Sequence, residues 1–329
     1  LTFLVFWRLL MDILFCFHFT FESLRQSCSK IISFLVSMVI LNYEQFSEIQ
    51  QVIHKFRGHS IDCNRELVRR FPQHSFEMLG SILSREVQQR LKQSHSRISA
   101  RAEDLLADYG RKIKSGASLD VLLKMSLSLR IPPLSLCRML LLKKYSHKTK
   151  AEVSEMLRHP DIIPDSVLGA NVGYCLYNEN MEGPITDTIR RCIGEEYEMK
   201  LKQMAKDMGM VFYDEGDLRR TGYDKTPDLK LAIPCLYKGR AVNWIESKAS
   251  FGDMDSHQKY VRDQLISYGN RFGAGIVIYW FGYLDMIADC AENGDFITVV
   301  DNFPAPEELE FLKFNIPDTC LEELNKPVS

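Results

Sequence analysis

The sequence predicts an α/β protein, an all-helical region followed by a domain built on a mixed central sheet. Apolar residues recur three and four apart over residues 42–170, a spacing that buries one face of a helix. Past about residue 190 a long helical stretch gives way to four strand-like runs, the first two joined by Lys238-Gly239. Strands mixed with helices in this order belong to an α/β or α+β domain. The 329 residues suit about two domains, and 46% hydrophobic content supplies a core without disulfide staples. Aromatic and charged shares of 11% and 26% exclude a disordered or collagen-like chain.

Residues 1–37 stand apart. Apolar runs at 1–7, 13–21 and 31–41 are interrupted by Arg8, Asp12, Glu22, Arg25 and Lys30. A membrane helix needs about twenty residues nearly free of charge, and no run reaches that, so no membrane partner is expected. This segment reads as an upstream extension outside the fold, with a real anchor as the alternative. Met38 opens an ordinary soluble pattern.

Helices follow. Phe46, Ile49, Val52, Ile53 and Phe56 mark the first, over 43–56; Leu67, Val68 and Phe71 mark the second, which Pro72 stops. Ser75 starts a third that runs to about residue 91. Ser118 is expected to cap a helix over 119–127. Arg130-Ile131-Pro132-Pro133 makes the turn into another over 134–144. A short helix, a tight turn and a helix with basic residues is the layout of a helix-turn-helix, which a plain helical bundle shares. Arg138, Lys143 and Lys144 are its candidate DNA-binding residues. Residues 161–165 read as the connection that separates a helical region, 38–170, from a second domain, 171–329.

The net charge of −2 hides a division. Residues 38–170 carry 21 basic and 14 acidic side chains, and residues 171–329 carry 17 and 27, for nets of +7 and −10. The acidic half repels a polyanion unless cations intervene, whereas the basic half can hold one. Nine cysteines, with no C-x-x-C and no histidines at zinc-finger spacing, read as reduced thiols of a cytosolic or nuclear protein.

The second domain opens with a helix over 186–208, ended by Gly209. Strands are expected at 229–237, 241–248, 275–281 and 296–300, with a helix over about 257–271 between the second and third. Pro227 forces the preceding residue to be extended, so Asp228 enters the first strand at its start. The hairpin at Lys238-Gly239 folds the second strand back and brings Asp228 near its far end. Glu246 and Lys248, two apart, share one face of that strand while Ser247 points away.

Two carboxylates and an ammonium thus converge. Hard oxygen ligands with open positions suit Mg²⁺, or Mn²⁺ in its place, completed by waters and a phosphate. Such an ion acidifies water and offsets charge on a scissile phosphate, and Lys248 can orient the attacking water and stabilise developing charge. A structural salt bridge is the plainer use of a lysine beside two acids. Upstream, the helix puts Glu195 and Glu198 on one face, so Glu198 can extend the metal shell. Gln264 and Tyr268, four apart, form a polar pair able to touch a phosphate or the water.

At these residues the sequence resembles the PD-(D/E)xK nuclease superfamily, which includes restriction endonucleases and Holliday-junction resolvases. The matching positions are Gly194-x-x-x-Glu198, Pro227-Asp228, Glu246-Ser247-Lys248 and Gln264-x-x-x-Tyr268. Thr226-Pro227-Asp228, the run from Trp244 to Asp253, and Asn270-Arg271-Phe272-Gly273 before Val277-Ile278-Tyr279-Trp280 are similar to the codanin-1-interacting nuclease family of animals. This likeness spans about residue 38 to at least 300. It implies a restriction-endonuclease-like domain behind a helix-turn-helix region, with Mg²⁺-dependent hydrolysis of DNA. It also implies a nuclear protein, with some in the cytoplasm, that binds codanin-1, a partner tied to histone handling and red-cell development. A non-catalytic adaptor that binds codanin-1 on the same fold is the alternative. The acidic, apolar tail at 307–324 can dock a partner or cap the sheet, and a cap is expected.

Overall fold

The computed structural model describes residues 40–178 and 180–312. The expected extension at 1–37 and the tail past 312 lie outside the described residues. A two-residue strand, β1 (Ile40–Leu41), precedes eight helices: α1 (Tyr43–Lys55), α2 (Ser60–Arg70), α3 (Phe76–Ala100), α4 (Ala102–Lys114), α5 (Val121–Leu129), α6 (Pro133–Lys144), α7 (Lys150–Arg158) and α8 (Ser166–Tyr177). Asn42 and Gln45 close a capping box on α1 with bonds of 3.0 and 2.9 Å, which satisfies two otherwise orphaned N–H groups. The Ser75 hydroxyl accepts from the Met78 N–H and starts α3 where expected. That helix continues past 91 because no glycine or proline interrupts residues 81–100.

One expectation for the helical region needs correction. Ser118 does not cap α5: its hydroxyl donates to the Asp120 carboxylate, Asp120 occupies the cap position, and the helix begins at Val121. α6 follows the expected tight turn. It meets α5 at 105°, across Arg130 in a left-handed conformation (φ 58°), but Leu134, Leu136, Cys137, Met139, Leu140 and Leu141 are all buried. Only Lys143 and Lys144 of α6 are exposed. Lys143 pairs with Glu103 at 2.8 Å and Lys144 with Asp165, while Arg138 donates to the Ser154 hydroxyl at 2.8 Å. A helix apolar all round is an interior helix, and α6 is the interior helix of this bundle. Among the described residues no single helix is long and apolar enough to cross a membrane; α5 and α6 together have the composition, but as a bent pair inside the helical core.

The C-terminal domain contains α9 (Pro184–Asp207), β2 (Phe212–Asp214), α10 (Glu215–Arg220), β3 (Leu229–Tyr237) and β4 (Arg240–Lys248). Then come α11 (Met254–Tyr260), a π turn (Val261–Leu265), α12 (Ile266–Phe272), β5 (Gly275–Tyr279), β6 (Tyr283–Leu284), β7 (Ile297–Val300) and β8 (Leu309–Phe311). The main sheet has the order β2-β3-β4-β5-β7, with β8 beside β2 on the same edge of β3. β3 and β4 run antiparallel, whereas β4, β5 and β7 are parallel, so the sheet is mixed. Lys238 and Gly239 both have positive φ, 48° and 77°, the requirement of a two-residue hairpin turn that matches strand twist. Pro234, with no N–H to give, lies where the β3–β4 register shifts. β8 covers part of the exposed edge of β3, as a cap would.

Strand alternation sends Ile276 and Ile278 to one face and Val277 and Tyr279 to the other. The first face packs on Leu201 and Ala205 of α9. The second packs on α1, α2, the first half of α3 and the α11–α12 segment, through Ile49, Leu67, Leu79, Leu83 and Leu265. N-terminal helices therefore form one layer over the sheet. β1 adds a parallel pair with β6.

Candidate active site

The site lies at the C-terminal end of β4, on the face covered by the α11–α12 segment. Leu229 is in register with Ile245, so Asp228 lies opposite Glu246 across the hairpin. The Asp228 N–H donates to Glu246 Oε2 at 3.3 Å, and the Ser247 N–H donates to Asp228 Oδ2 at 2.7 Å. Lys248 Nζ donates to Glu246 Oε1 at 2.7 Å and to Gln264 Oε1 at 3.0 Å. Its ammonium also sits 4.6 Å from the centre of the Tyr260 ring, a cation–π contact. Glu246 is 4% exposed, a level at which a lone charge is costly and a paired one is tolerated. Ser247 turns to the opposite face, where its hydroxyl accepts from Trp280 Nε1 at 2.8 Å.

Burial, then the neighbouring Glu246 charge, raises the Asp228 carboxyl well above its ordinary range, against the Ser247 N–H that favours the anion. Burial also raises Glu198, followed by the charge of Glu215; Glu246 and Glu195 add to it, and Lys202 opposes it. For Lys248, burial favours the neutral amine, but Glu246 and then Asp228 outweigh it and hold the group above the ordinary lysine value. Lys248 is therefore an ammonium here, a donor and a charge rather than a ready base.

Asp228, Glu246, Lys248 and Gln264 are brought together. Glu198 adds negative potential without closing a cage: among the described residues no three His, Cys, Asp or Glu side chains gather closely enough to hold a metal ion. A pair of carboxylates facing each other across a hairpin is nevertheless a donor set that fits Mg²⁺, which takes one or two carboxylates and keeps its waters.

The polar pair expected on the last helix divides. Gln264 lies within the π turn and reaches Lys248, whereas Tyr268 is buried, 2% exposed, with its hydroxyl donating to the Thr226 carbonyl at 2.7 Å. Its ring packs edge-on against Trp244 at 5.5 Å. Tyr268 therefore holds the strand entry that carries Asp228 and faces no phosphate. Sequence reasoning missed Tyr260, although it precedes Gln264 by the same four residues by which Tyr268 follows. It also missed the clamp from α3: Arg85 spans Asp253 with bonds of 3.0 and 3.4 Å, and the Ser81 hydroxyl accepts from the Phe251 N–H at 2.9 Å. Both tie the N-terminal layer to the loop that leaves β4.

Fold and site together define an α/β protein with two acids and an ammonium at one end of a hairpin, a set suited to a hard cation and an anionic ester. A family model described as "Protein of unknown function TPD sequence-motif" matches residues 164–303, which include Thr226-Pro227-Asp228. Over 273 residues the chain is 38% identical to a Xenopus tropicalis protein named CDAN1-interacting nuclease 1, across 81% of this chain and 89% of that one. Proteins of the same name from Homo sapiens and Danio rerio are 37% identical over 260 residues and 36% over 268. These alignments cover 77% and 79% of this chain, and 92% and 88% of theirs. No solved structure matches the chain. The chain belongs to the CDAN1-interacting nuclease family.

Proposed function

We propose that this protein is a Mg²⁺-dependent nuclease of the PD-(D/E)xK type that hydrolyses phosphodiester bonds in DNA. The observation that carries the reading is the buried contact of Glu246 with Lys248, beside Asp228 across the hairpin and Gln264 on the π turn. A helix, an antiparallel pair of strands, a helix and a parallel strand, in that order, support the type. Asp228 and Glu246 would hold the ion, with Glu198 next to the shell. When bound, Mg²⁺ (or Mn²⁺) would acidify a water and offset charge on the scissile phosphate.

The chain's own residues do the positioning. Lys248, fixed by Glu246 and Gln264, presents its ammonium to the attacking water and to the oxygens that gain charge as the water attacks in line. Gln264, whose carbonyl accepts from Lys248, has its amide N–H groups to orient the same water. Tyr268 steadies the backbone before Asp228. The relatives are named for a nuclease activity and for interaction with CDAN1; the same partner, codanin-1, is proposed here, with the nucleus and some cytoplasm as the location.

The test incubates the protein with labelled duplex, flap, four-way junction and single-stranded DNA in Mg²⁺, Mn²⁺ or EDTA, beside Asp228→Ala. Cleavage is expected with metal and lost in EDTA and in the variant. If wild type and variant leave every substrate intact while codanin-1 still binds, the protein is an adaptor on a nuclease fold.

A further inference from the structure

A second concentration of charge lies away from the carboxylates and shares no residue with them. Arg57, Arg90 and Arg130 line one cavity of about 70 Å³, between the α1–α2 connection, α3 and the α5–α6 turn. A cavity of that size admits a group of a few heavy atoms. Arg57 Nη1 donates to the carbonyls of His54 and Phe56 at 2.8 and 3.0 Å, and Arg130 Nη2 to that of His54 at 3.0 Å. Neither contact neutralises a charge. Arg90 is the exceptional member: its Nη2 is enclosed and has no hydrogen-bond partner.

A guanidinium nitrogen buried without a partner is costly, and two further arginines beside it increase the cost. Among the described residues, nearby acids are already engaged. Glu86 accepts from Gln50 and His54, both at 2.7 Å, and Asp62 pairs with Arg65 at 3.0 Å. The same cavity is lined by His59 and Ser60, where α2 begins without a side-chain cap. The uncapped first turn points N–H groups and the positive end of the helix dipole toward an anion.

We propose that Arg57, Arg90, Arg130 and the first turn of α2 form a binding site for a phosphate group. A tetrahedral oxyanion fits the volume and supplies acceptors and negative charge to three guanidinium groups that form no ion pair among the described residues. A free phosphate or the backbone of a nucleic acid offers the same chemistry. This site does not depend on the nuclease reading.

The test measures the thermal midpoint of the full chain in metal-free buffer with EDTA, at constant ionic strength in chloride. Inorganic phosphate is titrated in one arm and a short single-stranded oligonucleotide without terminal phosphates in the other. Wild type is expected to show a saturable rise in midpoint in at least one arm, reduced fivefold or more in Arg90→Met and in Arg130→Gln. A rise confined to inorganic phosphate identifies a free phosphate, and one that includes the oligonucleotide identifies a backbone phosphate. Without ligand, Arg90→Met is expected to melt at or above wild type, because an enclosed guanidinium nitrogen with no hydrogen-bond partner is gone. Equal shifts in wild type and both variants, or no shift in either arm, would overturn the site.

Discussion

Tyr268→Phe separates a residue that holds the site from one that touches substrate. The change removes one oxygen and keeps the ring against Trp244, so packing is preserved. It deletes a bond of 2.7 Å to the Thr226 carbonyl in a place from which water is largely excluded. A buried acceptor left without its donor costs about 1–3 kcal/mol. In a chain of this size, about 2 °C of midpoint follows each kcal/mol, so the variant should melt about 2–6 °C below wild type. Loosening the backbone before Asp228 displaces one proposed metal ligand, and small misplacements of reacting groups lower rates by up to about 10²-fold. Differential scanning calorimetry and a cleavage assay at saturating Mg²⁺ check both quantities. A midpoint within 1 °C of wild type combined with complete loss of cleavage would refute the reasoning, since the hydroxyl would then act on substrate rather than on Thr226.

Asp228→Asn should abolish cleavage yet raise the midpoint in metal-free buffer. The amide still accepts from the Ser247 N–H and no longer opposes Glu246; a lower midpoint would contradict the like-charge account. His257 is fully buried, with Nε2 2.6 Å from Asn293 Oδ1 and Nδ1 2.9 Å from the Tyr279 hydroxyl. Asn293 Oδ1 can only accept, which assigns the proton to Nε2. Burial lowers the His257 pKa below the ordinary 6.5, with Asn293 opposing. The unfolded chain therefore binds this proton first, and stability should fall as pH drops from about 6.5 toward the folded value and then level off. Urea midpoints at a series of pH values should show a shallower acid slope in His257→Gln. Asp253→Ala removes both the α11 cap and the Arg85 clamp. The cap alone is worth about 1 kcal/mol, so a loss no larger than that by urea titration would show the clamp to be idle.

The hairpin was readable from the sequence because its signals are local. Pro227 marks the entry to β3, and Lys238-Gly239 marks the turn. The bounds of β3 agree with the expected 229–237, and those of β4 differ by one residue from 241–248. The meeting of Asp228 with Glu246 follows from those signals and from strand alternation alone. The last helix was less readable. A π turn carries no compositional mark, and whether Tyr268 follows Gln264 onto the same surface depends on it. The coverage of the sheet by α1, α2 and the first half of α3 was not readable either. Periodicity shows that a helix has a buried face without showing what buries it. In α6 a signal was present and outweighed by the turn that precedes it: Leu134, Leu136, Cys137, Met139, Leu140 and Leu141 leave only a narrow polar strip at Ser135 and Arg138, as a largely interior helix requires.

Where the positive charge of residues 38–170 sits changes what it can hold. Several acids there are matched to basic side chains three or four residues away, as in Arg65–Asp62, Arg69–Glu66, Lys112–Asp108, Lys124–Asp120 and Lys148–Glu152. Such pairs contribute little to stability when exposed, but they cancel the local field. The cations at the end of α6 are cancelled likewise by Glu103 and Asp165. Arg57, Arg90 and Arg130 form no ion pair among the described residues, and all three line one cavity. A polyanion drawn to the helical region would meet three clustered, uncancelled cations there, and Lys143→Ala with Lys144→Ala should change its affinity far less than Arg130→Gln.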